Sequence, residues 1–332
     1  MRKCAMMEHP LSNKRSSPVR FRPLIALSAA ALAALTLAGC SSTTAAPSAS
    51  PSATSVDLCT SKVASGSASD AVKVSGDVGK QATVSFTKPL TVSKLQSTVV
   101  TQGTGDKLAS GDLVQFALTE YNAQTGKLNG AIGQAEGSLL PQQISGDSVL
   151  GQVLGCATVG TRVVAVMPGD ESSPATIDVV DVKAIVPNHA TGAAQAPQAG
   201  FPTVKLDGSN VPTITVPKTD PPTTTKIETL KKGTGATVAS GDTVLVQYTG
   251  VLWKDGSVFD SSWTRGTPAS FQTTGVVPGF KKALEGATVG SQVLVVVPPA
   301  DGYGSTAKQG IPANSTLVFV VDILGVQHAS AG

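Results

Sequence analysis

Six aromatic side chains lie close together in a chain in which aromatic residues are scarce. Phe, Trp and Tyr make up only 4% of the 332 residues. Between positions 248 and 319, however, the sequence contains Tyr248, Phe259, Phe271, Phe280, Tyr303 and Phe319. Aromatic rings supply apolar surface and tyrosine hydroxyls add polar groups, and ligand pockets are commonly built from this combination. The segment therefore predicts an apolar binding pocket with a few polar groups.

Other kinds of chemistry find little support in the sequence. His189 and His328 are the only histidines after residue 9, and neither lies near a cysteine or in a Ser/His/Asp or Cys/His arrangement. We therefore expect neither hydrolase chemistry nor a metal site. The Gly-Thr-Gly at 233–235 lacks the lysine and serine of a phosphate-binding loop, so we interpret it as a turn.

Five short motifs resemble, in residue type and order, the FK506-binding (FKBP) type of peptidyl-prolyl isomerase. They are Val-Gln-Tyr-Thr-Gly at 246–250, Phe-Asp-Ser-Ser at 259–262, Val-Val-Pro-Gly-Phe at 276–280, Gly-Tyr-Gly at 302–304 and Leu-Val-Phe at 317–319. The resemblance covers residues 226–326 and is more specific than any single motif. It implies isomerisation of X–Pro bonds, proline-containing peptide segments as substrates and macrolides as further ligands.

The resemblance also implies a role for each matched residue. Phe280 occupies the position of the aromatic platform that forms the pocket floor. Val276 and Val277 match the apolar pair before this platform, and Tyr303 matches a tyrosine whose hydroxyl donates to a ligand carbonyl. The predicted catalytic residues are Asp260, Tyr303, Phe280 and Tyr248, and the predicted substrate-binding residues are Phe259, Phe271, Val276, Val277, Ile311 and Phe319.

Two positions depart from the pattern of the family. Phe280 stands where Trp is usual, which keeps a ring but loses the indole N–H. Ala269 stands where the family commonly has the first Phe of a Phe-x-Phe motif, so one wall should be more open. We expect these changes to weaken macrolide binding more than isomerisation. Each matched residue taken alone also fits a structural role, as a core ring or a turn cap. Their common order favours the functional interpretation.

Isomerisation of an X–Pro bond demands little reactivity from side chains. Rotation about a peptide bond has a barrier of about 18–20 kcal/mol, and the uncatalysed X–Pro reaction takes tens to hundreds of seconds. Twisting removes amide resonance and requires no nucleophile, metal or redox cofactor. An enzyme accelerates the reaction by binding the twisted amide better than the planar forms. An apolar pocket helps further, because the carbonyl loses charge separation as the bond twists.

The pocket segment lies in the second of two similar halves. Motifs at 103–105, 109–112 and 157–160 recur at 233–235, 239–242 and 287–290, all with an offset of 130. A constant offset indicates a duplicated domain. We predict one domain over residues 56–186 and an isomerase domain over 201–332, with a core at 226–326. A linker rich in Ala, Gly and Pro at 187–200 would join them.

The predicted fold class is α+β. β-branched runs bounded by Gly and Pro predict strands at Thr243–Leu252, Ser291–Val297 and Thr316–Val326. The segment Phe280–Leu284 is the best helix candidate. An antiparallel sheet wrapped around one short helix in each half belongs to this class, and the FKBP resemblance implies the same fold.

The first half keeps the scaffold pattern but loses the pocket residues. At the offset of 130, the positions of Tyr248, Phe259, Asp260, Phe271 and Phe280 are taken by Leu118, Asn129, Gly130, Pro141 and Leu150. The loop that would carry counterparts of Tyr303 and Ile311 is shorter in the first half. We therefore interpret residues 56–186 as a degenerate FKBP-like domain.

The N-terminal residues predict export. Four basic residues between 14 and 22 precede a largely apolar run, Leu24 to Leu37, which predicts a signal peptide over residues 1–39. Leu-Ala-Gly-Cys at 37–40 resembles a lipobox, in which Cys40 is lipidated. The alternative is an ordinary signal peptide with a chance cysteine. Residues 40–55, rich in Ser, Thr, Ala and Pro, would form a tether. We expect an extracytoplasmic protein, lipid-anchored to the outer face of the cell membrane.

Export affects how charge and cysteines are interpreted. Six of the 25 Lys/Arg and one of the 22 Asp/Glu lie in residues 1–39, so 19 basic and 21 acidic residues remain after cleavage. This balance does not predict binding to nucleic acid. Cys59 and Cys156 remain as thiols, and outside the cytoplasm such a pair usually forms a disulfide. Two buried free thiols are the alternative.

The sequence supports three functional hypotheses. The first is a surface-tethered prolyl isomerase that assists the folding of exported proteins. The second is a non-catalytic chaperone or protein-binding module, and the third is a structural protein of the cell envelope. An isomerisation assay on short X–Pro peptides separates the first hypothesis from the other two.

Overall fold

The computed structural model describes residues 57–329. The predicted signal peptide (1–39), the tether (40–55) and the lipidation site at Cys40 lie outside the described residues. None of the helices within 57–329 has both the length and the apolar character needed to cross a membrane.

The first half of the described chain forms one antiparallel sheet with short helices. Its elements are α1 (Leu58–Ser61), α2 (Ser67–Ala71), β1 (Lys73–Ser75), β2 (Thr83–Ser85), β3 (Gln96–Thr101), β4 (Leu113–Asn122), β5 (Leu128–Ile132), β6 (Gln142–Gln143), α3 (Val149–Leu154), β7 (Arg162–Met167) and β8 (Thr176–Val186). The strand order is β3-β7-β8-β4-β5, with β6 also paired to β4. The first two strands form a separate hairpin.

The second half forms a larger antiparallel sheet with a corresponding strand order. Its elements are β9 (Ala193–Ala194), β10 (Thr203–Leu206), β11 (Pro212–Thr215), β12 (Lys226–Lys232), β13 (Thr243–Leu252), β14 (Val258–Ser261), α4 (Ser262–Arg265), β15 (Ala269–Gln272), α5 (Pro278–Leu284), β16 (Gln292–Val297) and β17 (Leu317–Gln327). The order is β9-β12-β16-β17-β13-β14, with β15 also paired to β13. Strands β10 and β11 pair separately.

Equivalent strands of the two sheets keep a constant spacing in sequence. Strands β3, β4 and β7 begin at 96, 113 and 162, and β12, β13 and β16 begin at 226, 243 and 292. Strand β13 has the predicted bounds. Helix α5 begins at Pro278, two residues earlier than predicted, because proline fits the first helical position, where its missing N–H costs no hydrogen bond.

Both faces of the second sheet are buried, which explains why its strands are almost continuously apolar. One face packs against α5, with side chains that include Val293, Val295, Phe319, Val321, Phe280 and Leu284. The opposite face packs against the β10–β11 hairpin, with side chains that include Leu294, Val296, Val318, Val320, Val204 and Ile214. The first face holds the aromatic residues singled out in the sequence.

The segment 187–200, predicted as a linker, contributes a short strand to the second sheet. Strand β9 pairs with the edge of β12. The Ala190 N–H donates to Asp322 at 2.8 Å, and the Gln195 N–H donates to the Leu230 carbonyl at 2.9 Å. Small side chains let this backbone approach closely, since a Cβ atom at Gly192 would lie 2.3 Å from the carbonyl carbon of Lys232. Composition does not reveal such backbone pairing.

Covalent and non-covalent contacts tie the remaining segments together. A disulfide joins Cys59 in α1 to Cys156, which follows α3, and these are the two cysteines expected to pair. Where the two halves meet, the backbone N–H of His328 donates to the Gly137 carbonyl at 2.7 Å. Nearby, the N–H of Ala236 donates to the Glu136 side chain at 2.8 Å.

Candidate functional site

The ring of Phe280 lies at the centre of an aromatic cluster on the α5 face of the second sheet. Its side chain is only 4% exposed. The Phe280 ring centre lies 5.0 Å from that of Phe319, 5.5 Å from that of Phe271 and 6.2 Å from that of Tyr248. All three contacts are edge-to-face, the arrangement that the charge distribution of aromatic rings favours. Phe280 therefore has the position predicted for the floor of the pocket.

Strand alternation directs the surrounding rings toward Phe280. On β13, Val244, Val246 and Tyr248 belong to the core that packs on α5, as the two-residue period of a strand requires. On β17, Phe319 belongs to the same core. Strand β15 brings Phe271 to within 5.6 Å of the Tyr248 ring.

These rings line a cavity of about 270 Å³. Its walls are formed by Tyr248, Phe259, Asp260, Phe271, Gly275, Val276, Val277, Phe280, Tyr303 and Phe319. Nine of the ten predicted site residues thus lie around one cavity. The tenth, Ile311, is 6% exposed and lines an adjoining groove. Gly275 was not predicted, because glycine has no side chain and lines the cavity with its backbone.

A three-residue polar network forms the rim of the cavity. The Tyr248 hydroxyl donates to one carboxylate oxygen of Asp260. The Arg265 guanidinium donates to the other oxygen and, at 3.0 Å, to the Tyr248 hydroxyl oxygen. The same guanidinium lies 5.5 Å from the centre of the Tyr248 ring, within the range of a cation–π contact. Asp260 is therefore held in a fixed orientation by two donors.

The environment of Tyr248 keeps its hydroxyl protonated. Burial, together with the hydrogen bond to Asp260, raises the pKa of Tyr248 to about 12. Because the hydroxyl stays neutral well above neutral pH, it remains a donor to the Asp260 carboxylate. The tyrosine acts as a support for the carboxylate, which remains partly exposed at the cavity mouth.

Sequence reasoning did not identify Arg265. The residue lies at the end of α4, and Gly266 closes this short helix in the left-handed conformation with a φ of 73°. The turn of α4 returns the Arg265 side chain to Asp260, five residues earlier. The available signal was an acidic residue followed five positions later by a basic residue and a glycine. This pattern is too common to be specific.

Tyr303 stands at the mouth of the cavity with 36% of its surface exposed. Within residues 57–329, its hydroxyl makes no hydrogen bond in the structure. The short 3₁₀ turn Pro299–Asp301 precedes it, and Asp301 accepts hydrogen bonds from Thr225 and, at 2.8 Å, from Lys282 of α5. These contacts fix the loop and leave the Tyr303 hydroxyl available to a ligand.

The site offers shape and hydrogen bonding, with no sign of a metal centre. Within residues 57–329, no group of three or more His, Cys, Asp and Glu side chains is arranged to hold a metal ion. The cavity can bind a small apolar ring against Phe280, exclude water from it and present hydroxyl and carboxylate groups at the rim. Such a site suits a reaction driven by selective binding of one conformation.

Part of the equivalent surface of the first half is polar. In the second half, Gly250 on β13 pairs with Phe319 on β17. At the matching position of the first half, Glu120 on β4 pairs with Asp178 on β8. Asn129, which replaces Phe259, donates to Glu120 at 2.8 Å. Burial, with a contribution from the charge of Glu120, raises the pKa of Asp178 to about 6. Polar and acidic groups thus occupy the places of the two aromatic walls Phe259 and Phe319.

Comparisons with known proteins single out the second half. Residues 235–324 match the family model described as FKBP-type peptidyl-prolyl cis-trans isomerase. The FKBP-type peptidyl-prolyl cis-trans isomerase FkpA of Escherichia coli strain K12 is 43% identical over 102 residues, which span 31% of this chain and 37% of that protein. The FK506-binding protein of Streptomyces anulatus is 34% identical over 119 residues, which span 35% of this chain and 96% of that protein.

Solved structures that are similar to this chain include one from the same bacterium. The crystal structure of FkpA from Escherichia coli is similar with a TM-score of 0.31 and 35% identity, covering 40% of this chain and 54% of that chain. This chain therefore matches well under half of the sequence of the E. coli relative, but nearly the whole of the shorter Streptomyces relative.

Proposed function

The chain belongs to the FKBP-type peptidyl-prolyl cis-trans isomerase family, and from this premise we propose that its aromatic cavity catalyses the cis–trans isomerisation of X–Pro bonds. One observation carries the proposal. The buried Phe280 ring forms the floor of a cavity of about 270 Å³, and the Asp260–Tyr248–Arg265 network lies at its rim. A proline ring is a small apolar group that fits a site of this kind.

Catalysis follows from the difference between the planar and the twisted amide. A proline ring seated against Phe280 places the X–Pro bond among apolar walls from which water is excluded. As the bond twists, the carbonyl loses charge separation and needs solvation less, so the apolar site favours the twisted form. A preference of about 1.4 kcal/mol for the twisted over the planar amide accelerates the reaction about tenfold.

The rim residues orient the substrate. The Tyr303 hydroxyl, which has no partner within residues 57–329, donates to a substrate carbonyl. Asp260, held by Tyr248 and Arg265, offers an acceptor to a peptide N–H at the mouth of the cavity. Each hydrogen bond contributes on the order of 1 kcal/mol, and it accelerates the reaction only if it is stronger with the twisted amide.

We assign catalysis to the second half alone and propose that the first half is a degenerate FKBP-like domain. The domains would span residues 56–186 and 201–332, with each sheet wrapped around its own short helix. Leu150 stands where the second half has Phe280, and Asp178 stands where it has Phe319. The first half therefore has neither the ring floor nor the apolar wall on which the mechanism depends.

The same cavity also suggests how this chain would bind macrolides. The Streptomyces relative is named an FK506-binding protein. In this chain, Ala269 on β15 leaves one wall of the cavity more open than a second phenylalanine would. We propose that macrolides bind this cavity more weakly than they would with Phe at position 269, while small proline-containing peptides are less affected.

We further propose that the protein acts outside the cytoplasm on exported proteins and is anchored to the membrane by lipid on Cys40. The sequence pattern of residues 14–40 supports this localisation. Two or more acyl chains give stable attachment to a bilayer. Changing Cys40 to Ala should release the protein from the membrane fraction or leave the signal peptide uncleaved. A variant that fractionates and migrates like the wild type would contradict the lipoprotein assignment.

The isomerase proposal is tested by an X–Pro peptide isomerisation assay on the full chain. We expect catalysis by the wild type, and we expect Asp260→Ala and Tyr303→Phe each to lower kcat/KM while the far-ultraviolet circular dichroism stays unchanged. A protein that suppresses aggregation of unfolded clients but does not accelerate isomerisation would instead be the non-catalytic chaperone or binding module. The degenerate first half, which keeps a sheet without the pocket, is the feature that favours this second candidate.

A further inference from the structure

A second groove adjoins the aromatic cavity. It is lined by Val258, Phe259, Asp260, Tyr303, Lys308, Gln309, Gly310 and Ile311, and it encloses about 700 Å³. Three of these residues, Phe259, Asp260 and Tyr303, also line the aromatic cavity. A peptide whose proline occupies the cavity would therefore place a neighbouring residue in this groove.

A tight turn fixes the position of Lys308 in the groove. The N–H of Lys308 donates to the carbonyl of Ile311, and the N–H of Ile311 donates to the carbonyl of Lys308, both at 2.9 Å. The Ile311 side chain is buried in the core, and Gly310 adopts a φ of 72° with its backbone against Phe259. The backbone of Lys308 is thus anchored, while its side chain reaches over the ring of Tyr303 at 5.9 Å.

The groove has an uncompensated positive charge. Its two charged lining residues are Asp260 and Lys308. Asp260 is paired with Arg265, so these two charges balance. Within the described residues, Lys308 makes no ion pair with a carboxylate. The net field in the groove is therefore that of the Lys308 ammonium group.

Apolar surface lies beside this charge. Val258 is 61% exposed, an unusual exposure for a large apolar side chain on a strand. A glutamate side chain offers methylene groups that can pack on Val258 and a carboxylate that can pair with Lys308. A lysine in the same place would bring two ammonium groups together.

We propose that Lys308 makes the site selective for peptides with an acidic residue, above all glutamate, directly before the proline. This inference rests on the proposed isomerase function, because it concerns the substrate of the same cavity. An exposed ion pair contributes about 0.2–1 kcal/mol, which corresponds to a roughly 1.4- to fivefold preference for a Glu–Pro over a Gln–Pro peptide. The preference should weaken as the salt concentration rises, because salt screens exposed charges.

The test compares three peptides that differ only in the residue before proline: Glu–Pro, Gln–Pro and Lys–Pro. For the full-chain wild type, kcat/KM should be highest for the Glu–Pro peptide, lower for Gln–Pro and lowest for Lys–Pro. Lys308→Gln should bring the Glu/Gln ratio to about one, and Lys308→Glu should place Lys–Pro above Glu–Pro. Lys205→Glu is the matched control, since it makes the same charge change on the hairpin that covers the opposite face of the sheet, and it should keep the wild-type order.

Dissociation constants of the same peptides, measured by calorimetry, separate this inference from the proposed function. If no peptide is turned over but Glu–Pro binds best and Lys308→Glu reverses the order, the inference holds and the isomerase proposal fails. If turnover occurs but the order of the peptides is the same in wild type and Lys308→Glu, the inference is wrong and the isomerase proposal stands. A preference for Glu–Pro that is also reversed by Lys205→Glu would likewise overturn it, because general charge would then explain the order.

Discussion

Gly250 on β13 lies directly opposite Phe319 on β17, at the point where the two cavity walls formed by Phe259 and Phe319 meet. A Cβ atom at position 250 would lie 2.5 Å from Cζ of Phe259 and 3.0 Å from Cε1 of Phe319. Both distances are shorter than ordinary van der Waals contacts. The two rings can keep their edge-to-face contact, with centres 5.4 Å apart, only because residue 250 has no side chain.

Changing Gly250 to Ala should therefore move the Phe259 ring and reduce catalysis. Overpacking of this kind typically costs about 1–3 kcal/mol of stability, and the displaced wall should lower kcat/KM toward X–Pro peptides. Gly130→Ala is the matched control, since Gly130 lies on β5, the first-half counterpart of β14, and a Cβ atom there would meet no atom within 4 Å. Equal activity and equal thermal stability of the two variants would show that Gly250 does not shape the cavity.

Arg265 should act by holding Asp260 in place. Because both side chains are partly exposed, removing the ion pair should lower kcat/KM roughly 1.4- to fivefold, the effect of an exposed pair. Arg265→Lys should restore only part of this loss, since an ammonium group cannot reach Asp260 and the Tyr248 hydroxyl with two fixed donors. If Arg265 acts through Asp260, the effects of Arg265→Ala and Asp260→Ala should not add in the double variant. Additive losses would assign Arg265 an independent role.

The protonation of Tyr248 predicts how stability changes at alkaline pH. The pKa of this tyrosine is about 12 in the folded protein and about 10 in an unfolded chain. Below about pH 10 both states hold this proton, so the contribution of Tyr248 to the stability is constant there. Between about pH 10 and pH 12 the unfolded state ionises first, so the free energy of unfolding should fall with rising pH. Urea denaturation of Tyr248→Phe should show a smaller fall over this range, and an identical fall in both proteins would contradict the shifted pKa.

The strongest sequence patterns predicted structure well, and the weaker ones did not. A long run rich in β-branched residues predicted both ends of the strand Thr243–Leu252. The pattern is strong because a strand buried on both faces accepts few other residue types. The pairing of segment 187–200 with β12 was not foreseen, because its strand is made through backbone hydrogen bonds. Arg265 was missed because its partner is reached through a helical turn. Asp178 was missed as the counterpart of Phe319 because the shortened loop before β8 breaks the constant offset, and only strand pairing reveals the match.

The disulfide between Cys59 and Cys156 should stabilise the first half without affecting catalysis. The two cysteines are 97 residues apart, and closing a loop of this length contributes about 4–5 kcal/mol in the chain-entropy model. The double variant Cys59→Ser/Cys156→Ser should unfold at lower denaturant concentration than the wild type. Its kcat/KM, measured under conditions where it stays folded, should be unchanged. An unaltered unfolding midpoint would show that the disulfide does not stabilise the folded protein.

The ring of Phe280 in the second half should carry the isomerase activity, and one pair of variants tests this directly. Phe280→Leu keeps an apolar side chain, removes the ring and places in the second half the residue that the first half has at position 150. Because the smaller side chain leaves some space unfilled, the assay is run at a temperature at which circular dichroism shows the variant to be folded. In an X–Pro peptide isomerisation assay on the full chain, we predict that Phe280→Leu lowers kcat/KM about tenfold or more, equivalent to about 1.4 kcal/mol, while Leu150→Ala leaves it at the wild-type value. A Phe280→Leu protein as active as the wild type, or a Leu150→Ala protein that loses activity to the same extent, would contradict this account.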